Sequence, residues 1–168
     1  VLPSFGASMN LMQLSQQATD GSHGLSVSGK LKLDYEQTSS TAERTRLTAD
    51  GAVVIAAHTH QSYSDTVTLQ NGFEQLSFYD MSSGITRNDA TGLLESEAAG
   101  SGLLIVSTPQ SIEVADTDQY PRSGVVKIAG QGSIVLTATS ASTVQIALDA
   151  DGDESYESRR DESWDWLF

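Results

Sequence analysis

Residues 148–157 read Leu-Asp-Ala-Asp-Gly-Asp-Glu-Ser-Tyr-Glu, with Asp149, Asp151 and Asp153 at alternate positions and Glu157 four places on. Calcium takes six to eight hard oxygens, and a loop offering a carboxylate at every second residue can wrap one ion. Counted from Asp149 as the first position, Asp151 and Asp153 fall at the third and fifth. Ser155 offers its carbonyl at the seventh and Glu157 its side chain at the ninth. The EF-hand pattern then fails, because Arg160 stands at the twelfth position, where a bidentate Glu belongs, and Glu154 at the sixth, where the turn needs Gly. The flanks also read as strands rather than helices. The plainer account is a hairpin tip: Asp151-Gly152 is a type I′ turn signal between Val-Gln-Ile-Ala-Leu and Glu-Ser-Tyr-Glu-Ser, and charges there sit in water. Calcium loop and hairpin tip both stay open at this point. No cofactor is required by the sequence, and calcium is the one it suggests.

Other residues capable of chemistry form weaker patterns. His58 and His60 lie two apart on an expected strand, so both imidazoles share a side; zinc or copper would need a third ligand that the sequence does not name. His23 reads as loop surface. Asp116 and Asp118 precede Pro121 and fit a turn better than a shared cation site. Trp164 and Trp166, in the final Ser-Trp-Asp-Trp-Leu-Phe, are either a closing segment docked on the core or an aromatic patch for a sugar or a protein partner. The chain has no Gly-x-Ser-x-Gly, Ser-x-x-Lys or His-Glu-x-x-His motif, and its Gly-Gln-Gly-Ser at 130–133 precedes a strand and so makes no phosphate cradle. An enzyme is not expected.

These residues must be positioned by a β-rich chain. Its 168 residues suit one domain, 1–168, and include 39 Ser or Thr, 14 Gly and only three Lys. The formal charge of −13 disfavours nucleic acid and anionic membrane surfaces as partners. The absence of cysteine excludes disulfides and thiolate ligands. No run approaches the roughly 20 apolar residues of a membrane span. Residues 8–18, Ser-Met-Asn-Leu-Met-Gln-Leu-Ser-Gln-Gln-Ala, predict a helix capped by Ser8 with Met9, Met12 and Gln16 on one face.

From Leu25 the period becomes two. Leu25, Val27, Leu31, Leu33 and Tyr35 share one face, and antiparallel strands are expected through residue 160, with an aromatic tail at 161–168. Asp50-Gly51 and Asn71-Gly72 predict hairpin turns, and Pro109 an interrupted or edge strand. The segments after Pro121, Ser-Gly-Val-Val-Lys-Ile-Ala-Gly, Gly-Ser-Ile-Val-Leu-Thr-Ala-Thr and Ser-Thr-Val-Gln-Ile-Ala-Leu-Asp, read as a tight meander. Some nine or ten strands follow at the spacing typical of an all-β fold. The expected fold is mainly β, an antiparallel meander forming a strongly curved sheet or barrel with the one N-terminal helix packed against it. A two-sheet sandwich is the remaining alternative.

The run from Tyr120 to Glu157, Tyr-Pro-Arg-Ser-Gly through Asp-Ala-Asp-Gly-Asp, with the terminal Trp-Asp-Trp-Leu, resembles the C-terminal segment of uncharacterised exported, lipoprotein-like proteobacterial proteins. Asp-Thr-Val-Thr-Leu-Gln-Asn at 65–71 is similar to an earlier strand of theirs. The chain departs from that pattern at Glu154, where those proteins tend to have a second Gly, and in lacking their Cys and Gly-rich tracts. The resemblance implies export and supplies no mechanism. With the non-Met first residue and the Ser/Thr-rich composition, it suggests a secreted, periplasmic or outer-membrane-attached protein whose leader is absent from this chain.

The functional expectation is a non-enzymatic envelope binding or scaffold module, holding a small apolar molecule in a curved sheet or meeting an envelope protein. The alternative is a surface module recognising protein or glycan through its loops and tail, with calcium ordering residues 149–157. An envelope hydrolase using an acidic pair comes third.

Overall fold

The alternation that begins at Leu25 is realised as paired strands through most of the described residues. The computed structural model describes residues 2–17, 23–59, 64–100 and 102–167, which contain one antiparallel sheet of twelve strands. In order these are β1 (Ser4–Gln17), β2 (His23–Ser39), β3 (Ala42–Ala49), β4 (Val53–Thr59), β5 (Ser64–Leu69), β6 (Glu74–Asp80), β7 (Ile85–Ser96), β8 (Leu103–Ala115), β9 (Ser123–Ala129), β10 (Ser133–Ser140), β11 (Thr143–Asp149) and β12 (Ser158–Ser163). A four-residue helix, α1 (Trp164–Leu167), ends the described chain.

The helix expected over residues 8–18 does not form. That segment belongs to β1, which pairs with β2 from Ser4↔Glu36 to Gln17↔Gly24 with one register shift between Leu11 and Leu14. Its apolar residues satisfy both periods, since Phe5, Ala7, Met9 and Leu11 alternate while Met9, Met12 and Gln16 recur helically. A short solvated helix is marginal on its own. The seventeen-residue edge of β2 offers a backbone partner for its whole length, and that contact outweighs a weak local preference.

Asp50-Gly51 and Asn71-Gly72 do not turn hairpins either. β3 and β4 both pair with β2, and the register steps by two residues between Leu31↔Ala49 and Ser28↔Val54. β5 pairs with β4 and β6 with β3, and both lie against β7. Thus 42–59 and 64–80 are two long strand paths, each interrupted at its middle. The interruptions lie side by side: the Gly51 N–H donates to Asn71 Oδ1 at 2.8 Å, and the Gly72 N–H to the Ala49 carbonyl at 2.9 Å. The turn residues serve as bulges because the neighbouring strands run past them.

The crease continues into the flanking strands at two glycines with positive φ, Gly29 (131°) and Gly92 (140°). A Cβ at Gly29 would lie 2.6 Å from the Ala52 carbonyl oxygen, and one at Gly92 2.7 Å from Phe73 Cα. Pro109 likewise sits within β8, where the pairing with β9 shifts between Ser107 and Gln110. The two segments around that proline are therefore one strand.

The meander predicted after Pro121 is present as β9, β10 and β11. Directly opposite residues share a face, so Val106, Ile128, Ile134 and Leu148 form one apolar row across four strands, and Val126, Leu136 and Ile146 a second. Val144 (0% exposed), Ala138 and Trp164 make a buried cluster with Tyr120, Leu136 and Leu167 against it. On the other strands, ion pairs cross from one strand to the next: Arg44–Glu36, Arg46–Glu74 and Arg87–Glu113. β1 pairs with β2 alone and β12 with β11 alone, so no pairing of these two edges closes a barrel among the described residues. The accessible surface is 10183 Å², against roughly 8,000 Å² for a compact monomer of this mass.

Candidate metal centre and the groove beside it

The acidic loop is built outward from the end of a strand. Asp149, the last residue of β11, stands opposite Ser133 of β10 and is only 2% exposed. Its Oδ1 accepts the Gly152 N–H at 2.7 Å, and its Oδ2 accepts the Glu154 N–H at 3.2 Å and the Ser133 hydroxyl at 3.4 Å. One carboxylate thus draws the following residues back over itself. Asp151 Oδ1 accepts the Asp153 N–H at 3.3 Å, Asp153 Oδ1 the Ser155 N–H at 2.7 Å, and Glu157 Oε2 the Ala150 N–H at 2.8 Å.

The curl requires left-handed backbone at Gly152 (φ 82°) and at Glu154 (φ 68°). Glu154 is the single non-glycine with positive φ among the described residues. The expected two-residue turn at Asp151-Gly152 is replaced by an eight-residue loop, 150–157, because β12 does not start until Ser158.

Asp149, Asp151, Asp153 and Glu157 each place a ligand atom so that all four lie within 4.8 Å of one another. Such a group can hold a metal ion, and the donors are all carboxylate oxygens, which suits a hard divalent cation. Like charges held this close repel, and a cation between them removes that repulsion. The two nearby arginines are turned elsewhere: Arg159 lies 5.2 Å over the Tyr156 ring and Arg160 4.5 Å over Trp166.

The loop packs on the β9–β10 connection. A Cβ at Gly132 would meet the Asp149 carbonyl oxygen at 2.3 Å, and one at Gly152 the Gln131 carbonyl oxygen at 2.4 Å. Beyond this contact a groove of about 570 Å³ opens between the apolar row, Ala99, Gly100 and Gly102, and the connection at 130–132. Leu103, Leu104, Ile128, Ile134 and Leu148 line it, with Asp149 and Ala150 at the side of the loop. Ile134 and Leu148 are each 41% exposed, so the groove is open to solvent. The sequence marked these residues as strand and not as a site, since only the pairing of β8 through β11 sets them side by side.

The remaining candidates are dispersed. Asp118 pairs with Arg122, which holds its carboxyl below the usual range, while Asp116 accepts the Tyr79 hydroxyl at 2.8 Å; the two do not share a site. His58 lies in β4 and His23 begins β2, whereas His60 falls outside the described residues. Trp164 is buried, and its indole N–H donates to the carbonyls of Pro121 and Ser140 at 3.1 and 3.2 Å. Trp166 is 56% exposed.

Three more carboxyls are held below their ordinary range by hydrogen bonds: Asp65 by the Ala98 N–H and the Ser96 hydroxyl, Asp80 by Ser82 and Ser83, and Glu113 by Arg87 and Ser123. Comparison of the chain with protein families, with curated proteins and with solved structures finds no match.

Proposed function

We propose that the protein is a non-enzymatic, exported binding module in which the 149–157 loop takes calcium and thereby fixes one wall of a groove for a small apolar molecule. The carrying observation is the convergence of Asp149, Asp151, Asp153 and Glu157 within 4.8 Å, in a loop whose Asp149 and Ala150 also line the groove. A volume of about 570 Å³ suits a small ligand, as binding sites usually span roughly 300–1,000 Å³. The apolar lining with one polar rim fits an apolar body carrying a polar end. Export is supported by the Ser/Thr/Gly-rich, lysine-poor composition and the resemblance of the C-terminal third.

Thermal melting with and without millimolar Ca²⁺ tests the metal site. A ligand at a hundred times its Kd stabilises by about 2.7 kcal/mol, which for a chain of this size raises Tm by about 5–10 °C. Asp151→Ala should abolish the rise, and equimolar Mg²⁺ should give less of it. An unchanged Tm, or an equal gain in the variant, removes calcium from the proposal. Fluorescence of an anilinonaphthalene dye reports the groove: binding should fall in Ile134→Glu and strengthen with Ca²⁺.

A further inference from the structure

β1 pairs with β2 along one edge, and no described strand lies along its other edge. Every second residue of an antiparallel strand turns its N–H and C=O away from the partner it has, so this edge is a ladder of unmet donors and acceptors. Proteins guard such edges with charge or proline. The opposite edge of the sheet is guarded: Arg159, Arg160, Asp161 and Glu162 fill four of the six positions of β12. β1 has no such guard. Ser4–Gln17 contains no Asp, Glu, Lys, Arg or Pro, in a chain with 22 acids and nine bases. Ser4–Asn10 are exposed, Phe5 at 55% and Met9 at 38%.

We infer that β1 pairs antiparallel with β1 of a second copy of this chain, joining two sheets across a two-fold axis. Charge selects that occupant. Residues 148–168 carry eight acids and two arginines, whereas β1 has no charge and Lys30, Lys32, Asp34 and Glu36 cancel in β2. Two copies of a −13 chain meet with least repulsion at this neutral edge, while a basic partner would be drawn to the acidic end at β12.

The strand is also complementary to itself. Because opposite residues share a face, an axis passing through a residue sets the apolar face against the apolar face, and an axis between residues sets it against the polar one. The regular stretch Ser4–Leu11 centres the axis on Ala7 or Ser8. On Ser8, Phe5 meets Leu11, Ala7 meets Met9 and Gly6 meets Asn10.

Size-exclusion chromatography with light scattering should give twice 17.9 kDa for the native sequence. Ser8→Lys places like charges together at the axis and should give the monomer mass, while Ser8→Thr should stay dimeric. Circular dichroism shows whether Ser8→Lys keeps its strand signal. The absence of cysteine supplies a second measurement that does not rely on that variant. Cross-strand Cα atoms about 4.5–5.5 Å apart fall within disulfide range. Cysteine at the residue on the axis, Ser8→Cys for an axis on Ser8 or Ala7→Cys for one on Ala7, should therefore oxidise to a covalent dimer, and Ser82→Cys, in the β6–β7 turn, should not. A native chain that is monomeric up to submillimolar concentration overturns the pairing, as does a folded Ser8→Lys that remains dimeric or cross-linking no faster at positions 7 and 8 than at 82.

Discussion

At Asp149 and Asp151, two carboxylates of one loop carry different burdens. Asp149 is 2% exposed and receives the Gly152 and Glu154 N–H groups, so it shapes the loop whether or not an ion is present. Asp151 is exposed and holds only the Asp153 N–H at 3.3 Å. Asp149→Ala removes the acceptor of the Gly152 and Glu154 N–H groups and of the buried Ser133 hydroxyl, and should cost about 1–3 kcal/mol in the presence of a chelator. Asp151→Ala should cost little under the same conditions and lose only the calcium-dependent gain. Chemical denaturation of both variants in EDTA separates the two roles; equal losses would mean that Asp149 is not the organiser. The spacing of the four acids was legible in the sequence because the loop itself brings them together. Ser133 was not, since only the β10–β11 register puts it opposite Asp149. The left-handed backbone at Glu154 also had no sign in residue type alone.

Between elements, local signals succeeded where connections are short and failed where long strands supply partners from elsewhere. β9, β10 and β11 were readable because each pairs with its sequence neighbour across a connection of a few residues. The segments around Asp50-Gly51 and Asn71-Gly72 misled because β2 and β7 are long enough to bind two collinear strands each. β1 misled because a Met- and Leu-rich segment takes whichever period its partner imposes. Several joints between elements are carboxylates held below their ordinary range: Asp65 caps the 97–99 turn after β7, Glu113 of β8 takes Arg87 of β7 and Ser123 of β9, and Asp118 takes Arg122. A folded-state pKa below the unfolded value means that the stabilisation is present above the unfolded value, near 4. It is lost as pH falls through the folded one. Stability should therefore hold between pH 5 and 7 and decline below about pH 4, and Glu113→Gln should flatten that decline. A denaturation midpoint independent of pH from 5 down to 2 would contradict the assignment.

Over the whole molecule, two kinds of electrostatics act in opposite senses. The cross-strand pairs Arg44–Glu36, Arg46–Glu74 and Arg87–Glu113 favour the fold, but their side chains are 30–46% exposed, and exposed pairs contribute about 0–1 kcal/mol each. Against them stands a formal charge of −13, with eight acids and two arginines in the last 21 residues. That charge lies on a sheet that exposes 10183 Å² and buries few side chains fully. Self-repulsion extends over the Debye length, about 30 Å at 0.01 M salt and 8 Å at 0.15 M, so it includes many pairs of acids at low salt and few at high salt. The repulsive sum is the larger, because every acid joins it while only a few acids sit in ion pairs. Raising NaCl from 0.01 to 0.3 M should therefore increase Tm, with most of the gain below about 0.15 M. Calcium added at constant ionic strength should increase it further if the loop binds the ion rather than merely sharing in the screening. A Tm that falls with NaCl would show that the cross-strand ion pairs outweigh the repulsion among the acids, and would weaken the charge argument that directs self-association to β1.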